Sequence, residues 1–124
     1  MSKIESFKDL IVYQKAYKLA MEIFEISKSF PKEERYSLTD QMRRSSRSIT
    51  ACIAESWAKR KYEKAFVNKL TDSLGEEFET ENWLDYSKDY KYIQEETHGR
   101  VLSEYIAVRK MLISMINHSK DWCL

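Results

Sequence analysis

Three arginines within five residues, Arg43, Arg44 and Arg47, form the densest chemistry in the chain. Guanidinium groups are planar and permanently charged, and their forked donors fit phosphate or carboxylate oxygens. At about 100° per residue, a helix sets them roughly opposite an apolar stripe of Leu38, Met42, Ile49, Ile53 and Trp57. The basic connection Lys59, Arg60, Lys61 follows at the helix end, so these six cations can meet successive phosphates of a folded RNA. Two other uses stay open: pairing with carboxylates across helices or between subunits, and a solvated face that binds nothing.

Glu77 and Glu81 are the carboxylates that stand out, because both fall in the apolar sector of their own helix. An unpaired ionised carboxylate in a core is expensive, which predicts a pair between helices or between subunits, with the arginines as possible partners. Inward carboxylates in a helical bundle also raise the question of a metal. A di-iron bundle takes a glutamate from each of two helices and a Glu-x-x-His unit from each of the other two. Glu95 to His98 supplies one such unit at a helix start, but Met115 stands three residues before His118, so the set is incomplete and no metal is expected. Helical ribonucleases that pair an arginine with a following histidine need a closer spacing than Arg109 and His118, which have eight residues between them. There is no Ser-His-Asp set, Gly-rich phosphate loop or zinc signature. His98 and His118 are the only histidines and are expected at the surface or at helix ends, leaving little for acid–base chemistry. The expectation is a protein without catalytic residues, cofactor or small-molecule substrate.

The elements that must position these groups are helices. Gly75, Gly99 and Pro31 are the only breakers in 124 residues, a length that fits one domain spanning residues 1–124. Charged residues at 33% and hydrophobic residues at 43% describe a globular chain, and a net charge of +1 makes any basic surface local. Cys52 and Cys123 are too few for a thiolate zinc site and suit a reducing compartment. The opening residues lack a signal-peptide core and no run approaches the ~18 apolar residues of a membrane span, so a cytoplasmic protein with no membrane partner is expected.

Apolar periodicity predicts helices over residues 8–29, 38–58, 62–88 and 94–121. Ser6 with Asp9, and Ser37 with Asp40, have capping-pair spacing. In the first helix Val12, Ala16, Leu19, Ile23 and Ile26 alternate in steps of four and three; Tyr13, Tyr17 and Phe24 form a second stripe beside them. That makes the apolar face wider than one neighbour requires, and these three aromatics are candidates for an oligomer interface, against a thick internal core as the alternative. Gly75 inside the third helix costs up to ~1 kcal/mol against alanine, for close packing or by simple tolerance. Short connections between four such segments predict an all-α, antiparallel up-and-down four-helix bundle.

Several stretches resemble one family, the 23S rRNA intervening-sequence proteins, bacterial four-helix bundles with a ribosomal-protein-like label. Phe7-Lys8-Asp9-Leu10 with Tyr13-Gln14-Lys15-Ala16 is similar to its opening, and Phe30-Pro31-Lys32-Glu33-Glu34 with Tyr36-Ser37-Leu38-Thr39 to its first connection. Gln41-Met42-Arg43-Arg44, Ser48-Ile49 and Ile53-Ala54-Glu55 resemble its most distinctive stretch; Ser73-Leu74-Gly75-Glu76, Trp83-Leu84 and Tyr92-Ile93 resemble later landmarks. Ser45 and Ser46 stand where the family has an alanine pair, Arg47 where an apolar residue is usual, Cys52 for an asparagine and Ser56 for a glycine. The resemblance implies a ring-shaped homo-oligomer, a homopentamer, with a role linked to rRNA. The expected function is therefore a non-catalytic homo-oligomeric bundle whose arginine-rich helix face binds structured RNA. The alternative is a structural or protein–protein interaction scaffold with no nucleic-acid role.

Overall fold

The computed structural model describes residues 3–124. Four long helices, α1 (Ile11–Ser27), α2 (Leu38–Ala58), α3 (Glu63–Asp89) and α4 (Glu95–Asn117), are followed by a short α5 (Ser119–Trp122). Each long helix packs on the next and α4 returns to α1, an antiparallel up-and-down bundle with no strand among the described residues. One continuous core runs down its axis. Ala16 and Ile23 of α1, Met42, Ile49 and Ile53 of α2, Phe66, Leu70 and Leu84 of α3, and Val101, Tyr105, Val108 and Leu112 of α4 are fully buried. Each large aliphatic or aromatic side chain among them contributes roughly 1.5–3 kcal/mol over leaving it in water.

Two helix ends differ from the periodicity. The first helix begins at Ile11 rather than near residue 8, because Ser6 and Asp9 close a capping box around a 3-10 turn, Phe7–Asp9, and Leu10 is extended. The last long helix stops at Asn117, where His118 leaves helical geometry before α5 resumes. Ser37 makes no side-chain cap at the start of α2; the Glu34 carboxylate accepts from the Leu38 N–H instead, at 3.4 Å. Between α3 and α4, Lys91 sits at φ 66°, in the left-handed region, and the Tyr92 N–H donates to the Ser87 carbonyl at 2.9 Å, closing the turn.

The seam between α2 and α3 is the most extensive in the molecule, and hydroxyls bond across it. Ser45, Ser46 and Ser56 of α2 and Ser73, Thr80 and Ser87 of α3 are all buried. Thr80 donates to Ser45 Oγ at 2.8 Å, Ser73 to the Ile49 carbonyl at 2.8 Å, and Ser56 to the Ile53 carbonyl at 2.7 Å. Small side chains let the two backbones approach closely, and these bonds satisfy groups that would otherwise be buried unpaired. Ser45, Ser46, Cys52 and Ser56, departures from the family pattern, are all buried. Gly75 lies exposed on the outer side of α3, and a Cβ added there would meet nothing within 4 Å, so tolerance rather than close packing accounts for it.

Ion pairs and a histidine–carboxylate hydrogen bond tie the remaining corners. Lys15 and Glu22 of α1 pair with Glu104 and Arg100 of α4; Asp85 of α3 holds His98 of α4 at 2.8 Å. No helix among the described residues is long and apolar enough to cross a membrane.

Candidate functional site

The three arginines leave α2 in two directions. Arg43 turns onto α1: its Nε donates to Ser27 Oγ at 2.8 Å and its guanidinium lies 4.6 Å from the Phe24 ring centroid. Arg47, one turn on, is exposed at the edge of the same ring, 6.0 Å away. Arg44 is exposed toward α3, where its charge opposes the rise that burial and Glu79 impose on the Glu76 carboxyl. A helical wheel gives the angle of each residue but not its neighbour, which is why it predicts a single row where a split pair of edges is found.

At the far end of α2, Arg60 folds back on its own helix. Its guanidinium stacks 3.6 Å from the Trp57 ring centroid and its Nε donates to the Trp57 carbonyl at 2.9 Å, while Trp57 meets Trp122 edge-on. The Leu124 N–H donates to the Arg60 carbonyl at 3.1 Å, so the chain end closes this corner. Lys59, Lys61 and Tyr62 stay exposed beside it. Among the described residues, none of Arg43, Arg44, Arg47, Lys59, Arg60 and Lys61 has a carboxylate at ion-pair distance. The cations of α2 and its end therefore form no ion pair within the described residues, and Arg44 has only the longer-range field of Glu76 nearby.

Glu77 and Glu81 do not meet those arginines. Glu77 is 0% exposed in the α3–α4 seam, and Glu81, at the rim, has Arg109 Nε of α4 at 3.5 Å. Arg109 also lies 5.5 Å from the Phe78 ring centroid. Neither Glu77 oxygen has a hydrogen-bond partner, nor has Glu81 Oε2 or the fully buried Tyr105 hydroxyl. Burial, with the adjoining Glu81 carboxyl adding to it and Arg109 opposing, pushes the Glu77 pKa up to about 9. Spacing along the chain relates Arg109 only to His118; its antiparallel position opposite Glu81 is visible once α3 and α4 are placed in register.

No group of three or more His, Cys, Asp or Glu side chains among the described residues is arranged to hold a metal ion. Both histidines have other partners. His98 Nε2 is occupied by Asp85, and His118 Nδ1 sits 2.8 Å from the Ser114 carbonyl at the end of α4. Burial raises the Cys52 thiol above its usual range, with nearby Lys69 opposing, so it is a packing residue rather than a nucleophile.

The second stripe of α1 is only partly open. Tyr13 is half-buried edge-on against Phe7, and Phe24 is half-covered by Arg43. Tyr17 is 52% exposed, and with Met21, 56% exposed, it lines a groove between α1 and α2 whose other walls are Ala20, Phe24, Arg47 and Thr50. Met21 escapes a search for aromatic stripes, although its four-residue step from Tyr17 marks it. On the opposite side, Phe78 and Tyr86 of α3 and Tyr90 at its C-cap are also exposed.

Comparison with known proteins places this geometry. The model of the family described as 23S rRNA-intervening sequence protein matches residues 8–114. No curated protein matches the chain. A crystal structure of a protein of unknown function from the S23 ribosomal protein family of Bacteroides thetaiotaomicron VPI-5482 is similar, with a TM-score of 0.78 and 31% identity over 89% of this chain and 98% of that one.

Proposed function

The chain belongs to the 23S rRNA-intervening sequence protein family, and we propose that it is a non-catalytic, homo-oligomeric bundle that carries unneutralised cations on α2 to structured RNA. The observation that supports this is the charge pattern of α2. Among the described residues, its three arginines and the Lys59 to Lys61 connection have no carboxylate partner at ion-pair distance. Lys18, Arg35 and Lys110 elsewhere also lack one, but they stand singly, whereas these six cluster on one helix and its end. Cations left free of internal partners bind phosphates by releasing counterions, with no desolvated internal pair to break first. Arg43 positions rather than contacts, since it is held on Ser27 and Phe24; Arg44, Arg47, Lys59 and Lys61 are the phosphate-contacting set.

Self-association completes the reading. A ring needs two different faces that fit each other, and the chain has two uncovered apolar faces: Tyr17 and Met21 on α1, and Phe78 with Tyr86 on α3. Five as the subunit number is taken from the family resemblance. Repeating the α2 edges around such a ring multiplies weak contacts by avidity without a strong charge on each subunit. The test is retention of a folded rRNA fragment across a salt series. Arg44→Ala, Arg47→Ala, Lys59→Ala and Lys61→Ala combined should lower affinity and reduce the salt slope by about one for each phosphate no longer neutralised. Salt-independent or absent retention by the unmodified protein favours the scaffold reading without nucleic acid.

A further inference from the structure

The buried end of Glu77 is a feature that neither the RNA reading nor the assembly uses. Its carboxyl is sealed in the α3–α4 seam with neither oxygen hydrogen-bonded. Beside it lie a buried Tyr105 hydroxyl, also without a partner, and a Glu81 Oε2 that has no hydrogen bond and only Arg109 Nε at ion-pair distance, 3.5 Å. The charged groups around it come from three helices. Glu81 adjoins it on α3; Arg109 and Tyr105 face it from α4; Glu22 of α1 lies beyond Tyr105, already paired with Arg100. From α2 the groups bonded to α3 on either side of this level are uncharged, Ser45 with Thr80 and the Ile49 carbonyl with Ser73. Arg109, the sole cation of the set, is engaged by Glu81 and Phe78 at the rim. One positive charge at the rim cannot neutralise two carboxylates, one of them fully desolvated.

We propose that Glu77 is kept as the neutral acid, poised to give its proton to a bond with Glu81, and that the pair forms a pH-sensitive latch holding α3 against α4. Protonation supplies the missing donor, which a small rotation directs onto the adjoining Glu81 carboxylate. Ionisation removes that donor and sets two like charges side by side in the seam, so the bundle loosens as pH rises. The sign follows from linkage: the folded chain holds a proton that the unfolded chain has released at neutral pH. The latch's contribution is complete below the ordinary carboxylate range, falls as pH rises, and is gone once Glu77 ionises in the folded state near pH 9.

Urea unfolding of the whole protein across pH is the test. From about pH 6 to about pH 9 the unfolding equilibrium constant of the wild type should rise up to about tenfold per pH unit. Glu77→Gln, which keeps the shape and removes the titration, should flatten that slope. Glu81→Gln, which removes the like charge, should keep a slope that ends at lower pH. Carboxyl carbon NMR of the wild type, labelled at glutamate, needs no variant and should show one glutamate protonated at neutral pH. A flat wild-type profile, a Glu77→Gln profile with the wild-type slope, or a full set of ionised glutamates at neutral pH would each overturn the latch.

Discussion

At the scale of single residues, the three arginines differ although the helical wheel groups them. Arg43 donates to Ser27 and covers Phe24, so its truncation removes a charge-assisted bond and a cation–π contact at a half-buried site. Arg43→Ala should lower stability by about 1–2 kcal/mol in chemical denaturation. Arg44→Ala and Arg47→Ala should stay within about 0.5 kcal/mol of the wild type, because both side chains are exposed and Arg47 has only a distant contact with the Phe24 ring, 6.0 Å from its centroid. Equal losses at all three positions would contradict the split. The sequence could show that three guanidiniums lie on the polar side of α2. It could not show that one of them meets Ser27, because that contact depends on where α1 crosses.

Among the elements, α2 is the most legible. Its apolar residues repeat cleanly and its bounds fall at Leu38 and Ala58. The third helix is harder to read, since its buried side carries Ser73, Glu77, Thr80 and Ser87 among Phe66, Leu70 and Leu84. Hydroxyls score as polar in any periodicity, yet here they bond to carbonyls of their own or the neighbouring helix and pack like small apolar groups. Ser73→Val should test that seam: it adds volume at a fully buried position and removes the bond to Ile49, and should cost about 1–3 kcal/mol. Gly75→Ala should act in the opposite sense. With open space around its Cβ position on an exposed helical face, it should gain about 0.5–1 kcal/mol, read as a raised denaturation midpoint. The start of α1 is hidden for a related reason, as a capping box has the same spacing before a 3-10 turn as before an α-helix.

At the scale of the whole molecule, the proposed contacts with RNA and with other copies of the chain rest on how charge and apolar surface are distributed. Lys15, Lys69, Arg100 and Arg109 each have a carboxylate at ion-pair distance, while the clustered cations of α2 and its end have none. Exposed apolar side chains include Tyr17 with Met21 on α1 and Phe78 with Tyr86 on α3, while others such as Tyr36, Tyr62 and Ile113 stand singly; it is the paired ones that the proposed self-association uses. Bundle architecture and the family are legible in the sequence because both rest on spacing along one chain. Which faces stay uncovered is not, because exposure is decided by the packing of distant elements. Tyr17→Ser with Met21→Ser should therefore shift the protein toward monomer while leaving its helical content unchanged, as read by sedimentation and circular dichroism. Delivery of unneutralised α2 cations to RNA by an oligomer is tested most directly by sedimentation velocity of the unmodified protein with a folded rRNA fragment at rising salt. The expected result is a particle several times the 14.8 kDa chain that co-sediments with the RNA at low salt and releases it as salt increases. A 14.8 kDa monomer that leaves the RNA boundary unmoved at every salt concentration would contradict it.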